Sequence, residues 1–172
     1  MNGSRRLLLL RHAKSDWPQG ASDHERPLGP RGRHDAPRMG EEIARRGLRP
    51  ELALVSTATR ARETFALVKP FLPEVPERFE GSIYEAPAEA ILRVLRGLDP
   101  AIRCAMVVGH NPGLEALATL LIGEGPERLR DRLGEKFPTA ALAVIDFEEG
   151  GWRDMAAGSG RLTLFLTPGD IE

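Results

Sequence analysis

Three apolar runs in this 172-residue chain end in residues able to handle an anion. Leu7-Leu8-Leu9-Leu10 is followed at once by Arg11-His12, and Met106-Val107-Val108-Gly109 by His110-Asn111. The third, Leu52 to Val55, passes into Ser56-Thr57-Ala58-Thr59-Arg60. Guanidinium forks match the oxygens of a phosphoryl group, and a helix N-terminus adds backbone N–H donors and a partial positive charge. Two arginines and two histidines meeting in one hollow would make a phosphoryl site. For the first run alone, a buried strand with a solvated polar end fits equally well.

The elements must therefore bring three distant segments to one place. Four consecutive leucines fit a strand buried on both faces, as in the middle of a parallel sheet. In open α/β sheets, ligands bind beyond the carboxyl ends of the strands. Further strands are predicted over 51–56, 78–84, 103–109, 140–147 and 162–166. A helical pattern covers 31–46, with Ala36, Met39, Ile43 and Ala44 on one face, Gly47 closing it and Pro37 marking an alternative start. A second helix is predicted from near Ala58 to about Pro70. A third carries the stripe Ala88, Ile91, Leu92, Leu95 and Leu98. A fourth starts at Asn111-Pro112, an N-cap side chain followed by proline, and runs to Gly123. The polar stretch 124–138 has room for one short helix. Strands alternating with helices imply parallel crossovers, and the last two strands, with little between them, pair antiparallel at an edge. The expected fold is α/β: a three-layer α/β/α sandwich with a mostly parallel central sheet and an antiparallel edge strand, in one domain over 1–172. The loop 16–30 is long enough to shape a site, with Trp17 as a pocket wall. Trp152 is placed in a hairpin closing the sheet edge.

Composition narrows the partners. Net charge is −1, which gives no global reason to expect nucleic acid or an anionic membrane. The first apolar run has four residues, against roughly 7–15 for a secretory signal and about 20 for a membrane span. The lone Cys104 sits in an apolar run, agrees with a reducing, cytoplasmic setting and reads as core. No Cys, His or Asp cluster has metal-ligand spacing, so neither metal nor cofactor is expected, and His24 and His34 read as surface residues.

Taken together, Arg11-His12-Ala13, Ser56-x-x-x-Arg60-Ala61 and Gly109-His110-Asn111-Pro112 resemble the histidine phosphatase superfamily. Arg-His-Ala-Lys-Ser-Asp-Trp at 11–17 and Val-Val-Gly-His-Asn-Pro-Gly at 107–113 are most similar to its SixA branch of phosphohistidine phosphatases. The likeness runs from about Arg5 to Leu121. It departs at Ala13, where the family most often has glycine, and the chain lacks the lid insertions of the related mutases. The resemblance implies that His12 is a nucleophile forming a phosphohistidine, with Arg11, Arg60, His110 and Asn111 holding the phosphoryl oxygens. A neutral imidazole near pKa ~6.5 suits that role, provided an acceptor such as a backbone carbonyl fixes its second nitrogen. Glu85 is the positional candidate for general acid and Asp16 and Asp23 are others; a phosphohistidine substrate would need none. The implied activity is metal-independent hydrolysis of phosphohistidine on a partner protein, such as a histidine-phosphotransfer domain, or of a small phosphorylated molecule. The alternative is a non-catalytic phosphate-sensing adaptor.

Overall fold

A computed structural model describes residues 4–171. Its centre is a seven-stranded sheet: β1 Arg5–Arg11, β2 Leu52–Ser56, β3 Glu77–Glu80, β4 Cys104–Gly109, β5 Ile122–Glu124, β6 Leu142–Phe147 and β7 Gly160–Leu166, in the order β3-β2-β4-β1-β6-β7-β5. The helices are α1 Pro30–Arg45, α2 Thr59–Val68, α3 Ala88–Arg96, α4 Gly113–Leu121 and α5 Glu127–Glu135. Every neighbouring pair is parallel except β1–β6 and β6–β7.

The leucine run explains the layering. Successive strand side chains point to opposite faces. Leu7 and Leu9 join the core formed with α3, α4 and α5, whereas Leu8 and Leu10 join the core under α1 and α2. All four are fully buried, so cutting any one to alanine should cost about 2–5 kcal/mol. A strand feeding two cores cannot alternate with polar residues, and its end is held rigidly.

The fold differs from expectation in three places. The antiparallel strand is β6, and it is not at the edge: β7 and then the three-residue β5 lie beyond it. Helix α1 runs from Pro30, in line with the helical pattern over 31–46, and carries Pro37 inside it, so the alternative start at Pro37 is not used. Proline there removes one donor, whose acceptor would have been the carbonyl of the exposed Arg33, a group that water can satisfy. Gly47, at φ +73°, ends that segment as expected. The third strand stops at Glu80, and Gly81–Ile83 turn as a 3-10 segment that buries Ile83. Trp152 does not close a sheet edge; it is buried between β6 and β7 in sequence, packs into the α3–α4 core and donates Nε1–H to the Ile102 carbonyl at 2.7 Å.

Candidate active site

β1, β4 and β2 are adjacent and parallel, so their carboxyl ends share one edge. His12 continues past β1 with its N–H on the Gly109 carbonyl at 3.0 Å, while the Ala140 N–H bonds the carbonyls of Arg11 and His12. Helix α2 is tied to the same place through Thr64. Its hydroxyl donates to the Arg60 carbonyl at 2.7 Å and accepts the Ala13 N–H at 2.9 Å. The residue that follows the nucleophile candidate and the helix carrying Arg60 are thus braced on one buried hydroxyl.

The His12 and His110 rings lie 5.2 Å apart, both buried. Nδ1 of His12 is 2.7 Å from the Ala13 carbonyl. A carbonyl only accepts, so that nitrogen carries the proton and Nε2 is left with its lone pair. Burial, reinforced by the neighbouring His110, Arg11 and Arg60, lowers the His12 pKa to about 3. For His110, burial first and then Arg60 lower it to about 4. Both imidazoles are neutral at physiological pH.

Ser56, a motif residue to which the sequence assigned no role, has a definite one. Its hydroxyl oxygen accepts the Ala58 N–H at 3.2 Å and lies 2.7 Å from His110 Nε2. The carboxylate oxygen of Glu85, 3.5 Å from Nδ1, can only accept, which places the proton of the neutral His110 ring on Nδ1 and lets the Ser56 hydroxyl donate to Nε2. That Nδ1 and Nε of Arg11 are buried N–H donors without a hydrogen-bond partner. Buried donors are rarely left so, and phosphoryl oxygens are the acceptors such a pair would take.

Arg60 is almost completely buried and holds two carboxylates. Its Nη1 donates to the Asp23 carbonyl at 2.7 Å, and Nη2 to Asp23 Oδ2 at 3.1 Å and Glu85 Oε2 at 2.9 Å. Glu85 Oε2 is also 3.5 Å from His110 Nδ1. Glu85 reaches this position through a left-handed backbone, φ +51°. The next residue packs on α4: a Cβ at Gly113 would lie 2.2 Å from the Ala86 carbonyl, so only glycine permits that approach.

Similarity to known proteins agrees with this geometry. The profile of the histidine phosphatase superfamily (branch 1) matches residues 7–85. An uncharacterized protein of Mycobacterium tuberculosis is 35% identical over 161 residues, spanning 92% of this chain and 99% of its own length. A structure assigned as phosphohistidine phosphatase SixA from Agrobacterium tumefaciens is 33% identical, with TM-score 0.81 and coverage of 95% of this chain and 98% of that one. One from Nakamurella multipartitia, assigned likewise, is 27% identical with TM-score 0.84, covering 96% and 97%. The chain belongs to the histidine phosphatase superfamily. Within it, the structural neighbours place it in the SixA-type branch, and phosphatase chemistry is what this kinship supports.

Against the histidine phosphatase pattern, the structure brings His12, Arg11, Arg60, His110 and Glu85 to one edge. Asn111 is engaged elsewhere. Its Oδ1 accepts the Glu115 N–H of α4 at 3.2 Å, and its Nδ2 donates to the Phe137 carbonyl at 3.0 Å, which also receives Arg11 Nη1. It holds the first turn of α4 and braces the arginine; its amide protons are not directed at a phosphoryl group. Among the alternative acids, Asp16 is exposed and accepts the Trp17 N–H. Asp23 is in the site, but the hydrogen bond from Tyr84, followed by those from Arg26 and Arg60, holds its carboxyl well below the usual range. It stays ionised and is a poor proton donor. Tyr84 and His24, unremarked or read as surface in the sequence, flank the site: Tyr84 donates to Asp23, and the His24 ring lies 4.8 Å from Tyr84 with Nε2 at 2.9 Å from the Thr57 hydroxyl. Arg62 stacks outside, 5.2 Å over Phe79. Burial pushes the Cys104 thiol up to about 12, so it is no nucleophile. Among the described residues no group of three or more His, Cys, Asp or Glu is arranged to hold a metal, and no helix is long and apolar enough to cross a membrane.

Proposed function

We propose that the protein hydrolyses phosphohistidine on a partner protein through a covalent phosphohistidine on His12. The observation that carries this reading is the 2.7 Å contact of His12 Nδ1 with the Ala13 carbonyl, which aims the other nitrogen's lone pair outward from a buried, neutral ring. Nε2 attacks phosphorus while the bond to the leaving nitrogen breaks. Arg11 and Arg60 balance the charge on the equatorial oxygens, and Nδ1–H of His110 donates to one of them. Burial pulls the Arg11 guanidinium below its ordinary value, yet an arginine remains cationic at neutral pH. A water then attacks phosphorus, inorganic phosphate leaves and Nε2 regains its lone pair.

Glu85 is the carboxyl best placed to hand a proton to the leaving group: half exposed, and anchored between Arg60 and His110. A departing imidazole that is already protonated needs little help, whereas an alkoxide needs a proton, so loss of Glu85 should separate the two substrate classes. The likeness to SixA phosphohistidine phosphatases favours nitrogen-linked phosphate over small esters.

The test is hydrolysis of 4-nitrophenyl phosphate and of a phosphohistidine peptide by wild type and His12→Ala. Turnover that depends on His12, with kcat/KM higher on the peptide, is expected. Equal rates for the two proteins would point instead to a phosphate-binding adaptor.

A further inference from the structure

The loop between β1 and α1 displays an exposed aromatic that phosphoryl transfer does not require. Trp17 is 67% exposed, the most open of the large apolar side chains among the described residues. A lone exposed apolar residue is ordinary, but this one is mounted. The Arg26 guanidinium lies 3.5 Å from the centre of its ring and covers one face. Arg26 itself is fixed: Nε donates to the Asp16 carbonyl at 3.1 Å, Nη2 to the Ser15 hydroxyl and Nη1 to Asp23 Oδ1 at 3.0 Å. The other oxygen of Asp23 receives Arg60. Two side chains, Arg26 and Asp23, therefore separate the indole from the arginine that would grip phosphate. With one face under Arg26, the rest of the indole is left to solvent.

The loop that carries Trp17 also presents two exposed carboxylates, Asp16 and Glu25. Asp23 is already paired with Arg26 and Arg60, and Glu85 with Arg60, which leaves Asp16 and Glu25 as the loop's carboxylates that no arginine holds. The loop's cations near Trp17 are Lys14, which is exposed, and Arg26, which is already engaged with Asp23 and the Trp17 ring. A small phosphate ester carrying its own carboxylate would meet those two carboxylates unfavourably. A polypeptide offering phosphate to the pocket and a basic side chain to the loop would be matched by both, and a guanidinium or ammonium over an indole face gains a cation–π contact.

We propose that Trp17, with Asp16 and Glu25, forms the docking surface for the polypeptide bearing the phosphorylated residue, and reads a lysine or arginine beside it. This rests on the phosphatase reading above and names the kind of partner that site accepts.

The test uses two peptides that carry a non-hydrolysable triazole analogue of phosphohistidine, one flanked by lysines and its twin by glutamates. The protein has two tryptophans and Trp152 is buried, so acrylamide quenching reports on Trp17. The lysine peptide should bind more tightly than its twin and shield Trp17, while inorganic phosphate should not. Trp17→Ala should weaken the lysine peptide about threefold to fivefold and leave KM for 4-nitrophenyl phosphate unchanged. Glu25→Gln should shrink the preference between the twins about twofold. Equal binding of the twins, an unshielded Trp17, or an equal effect of Trp17→Ala on 4-nitrophenyl phosphate would overturn the proposal. So would failure to bind either peptide, whereas the phosphatase reading stands or falls on His12-dependent hydrolysis of 4-nitrophenyl phosphate.

Discussion

Strand β1 has arginines at both ends, and the two ends treat them differently. At the foot, Arg6 closes on Asp146 with two parallel hydrogen bonds of 2.7 and 2.9 Å, both groups partly in solvent. That hydrogen bond raises the Arg6 pKa. At the top, Arg11 has one bond to a backbone carbonyl and a buried Nε without a partner, and burial lowers its pKa. The foot is a finished ion pair. The top keeps cations and neutral imidazoles out of water with donors left over, an arrangement that costs stability and is explained by a ligand. Position on the sheet, not residue type, separates a surface pair from a site.

The contrast can be broken first by removing the nucleophile. His12→Ala should lower kcat by about 10³-fold or more, measured by phosphate release. Arg60→Ala should lower kcat/KM by about 10²–10³-fold, while Arg6→Ala at the other end should leave it within about threefold of wild type. Comparable losses for the two arginines would erase the distinction.

Stability against pH sharpens it further. In the unfolded chain the site histidines titrate near ~6.5. In the folded protein they do so only at about 3 for His12 and about 4 for His110. As pH falls below ~6.5 the unfolded chain takes up protons that the folded one refuses, so the stability present above that pH is lost progressively toward pH 4. A loss on the order of 6 kcal/mol between pH 7 and 4, about 3 from each ring, is expected from urea titrations, and a His12→Asn, His110→Asn double variant should remove most of it. The smallest effect belongs to the foot. Asp146→Asn should cost about 0.5–1 kcal/mol in the same titrations, fading in high salt, with no change in turnover.

Much of this was legible in order along the chain. Leu7 to Leu10 fitted a strand buried on both faces, and polar residues directly after parallel strands of one sheet gather at one edge. What escaped was settled by distant neighbours. Ile122-Gly123-Glu124 has no strand signature and becomes β5 only because β7 offers it an edge. Pro37 is tolerated inside α1, where the carbonyl it deprives belongs to the exposed Arg33. Asp23 lies in a long irregular loop, and its role depends on Tyr84, 61 residues away. One cue was present: Tyr84 is the chain's only tyrosine and stands next to the already suspected Glu85. Asn111 lies one residue before the N-cap, Pro112, yet its Oδ1 still holds the first turn of α4 through the Glu115 N–H, which leaves its side chain engaged there and at the Phe137 carbonyl and not on a phosphate.

The most direct measurement is to expose the protein briefly to a 32P-labelled phosphohistidine substrate, quench, and map the label. Phosphorus on His12, labile to acid and stable to base, is the predicted result. Turnover without any protein-bound label, or label undiminished in His12→Ala, would contradict the account.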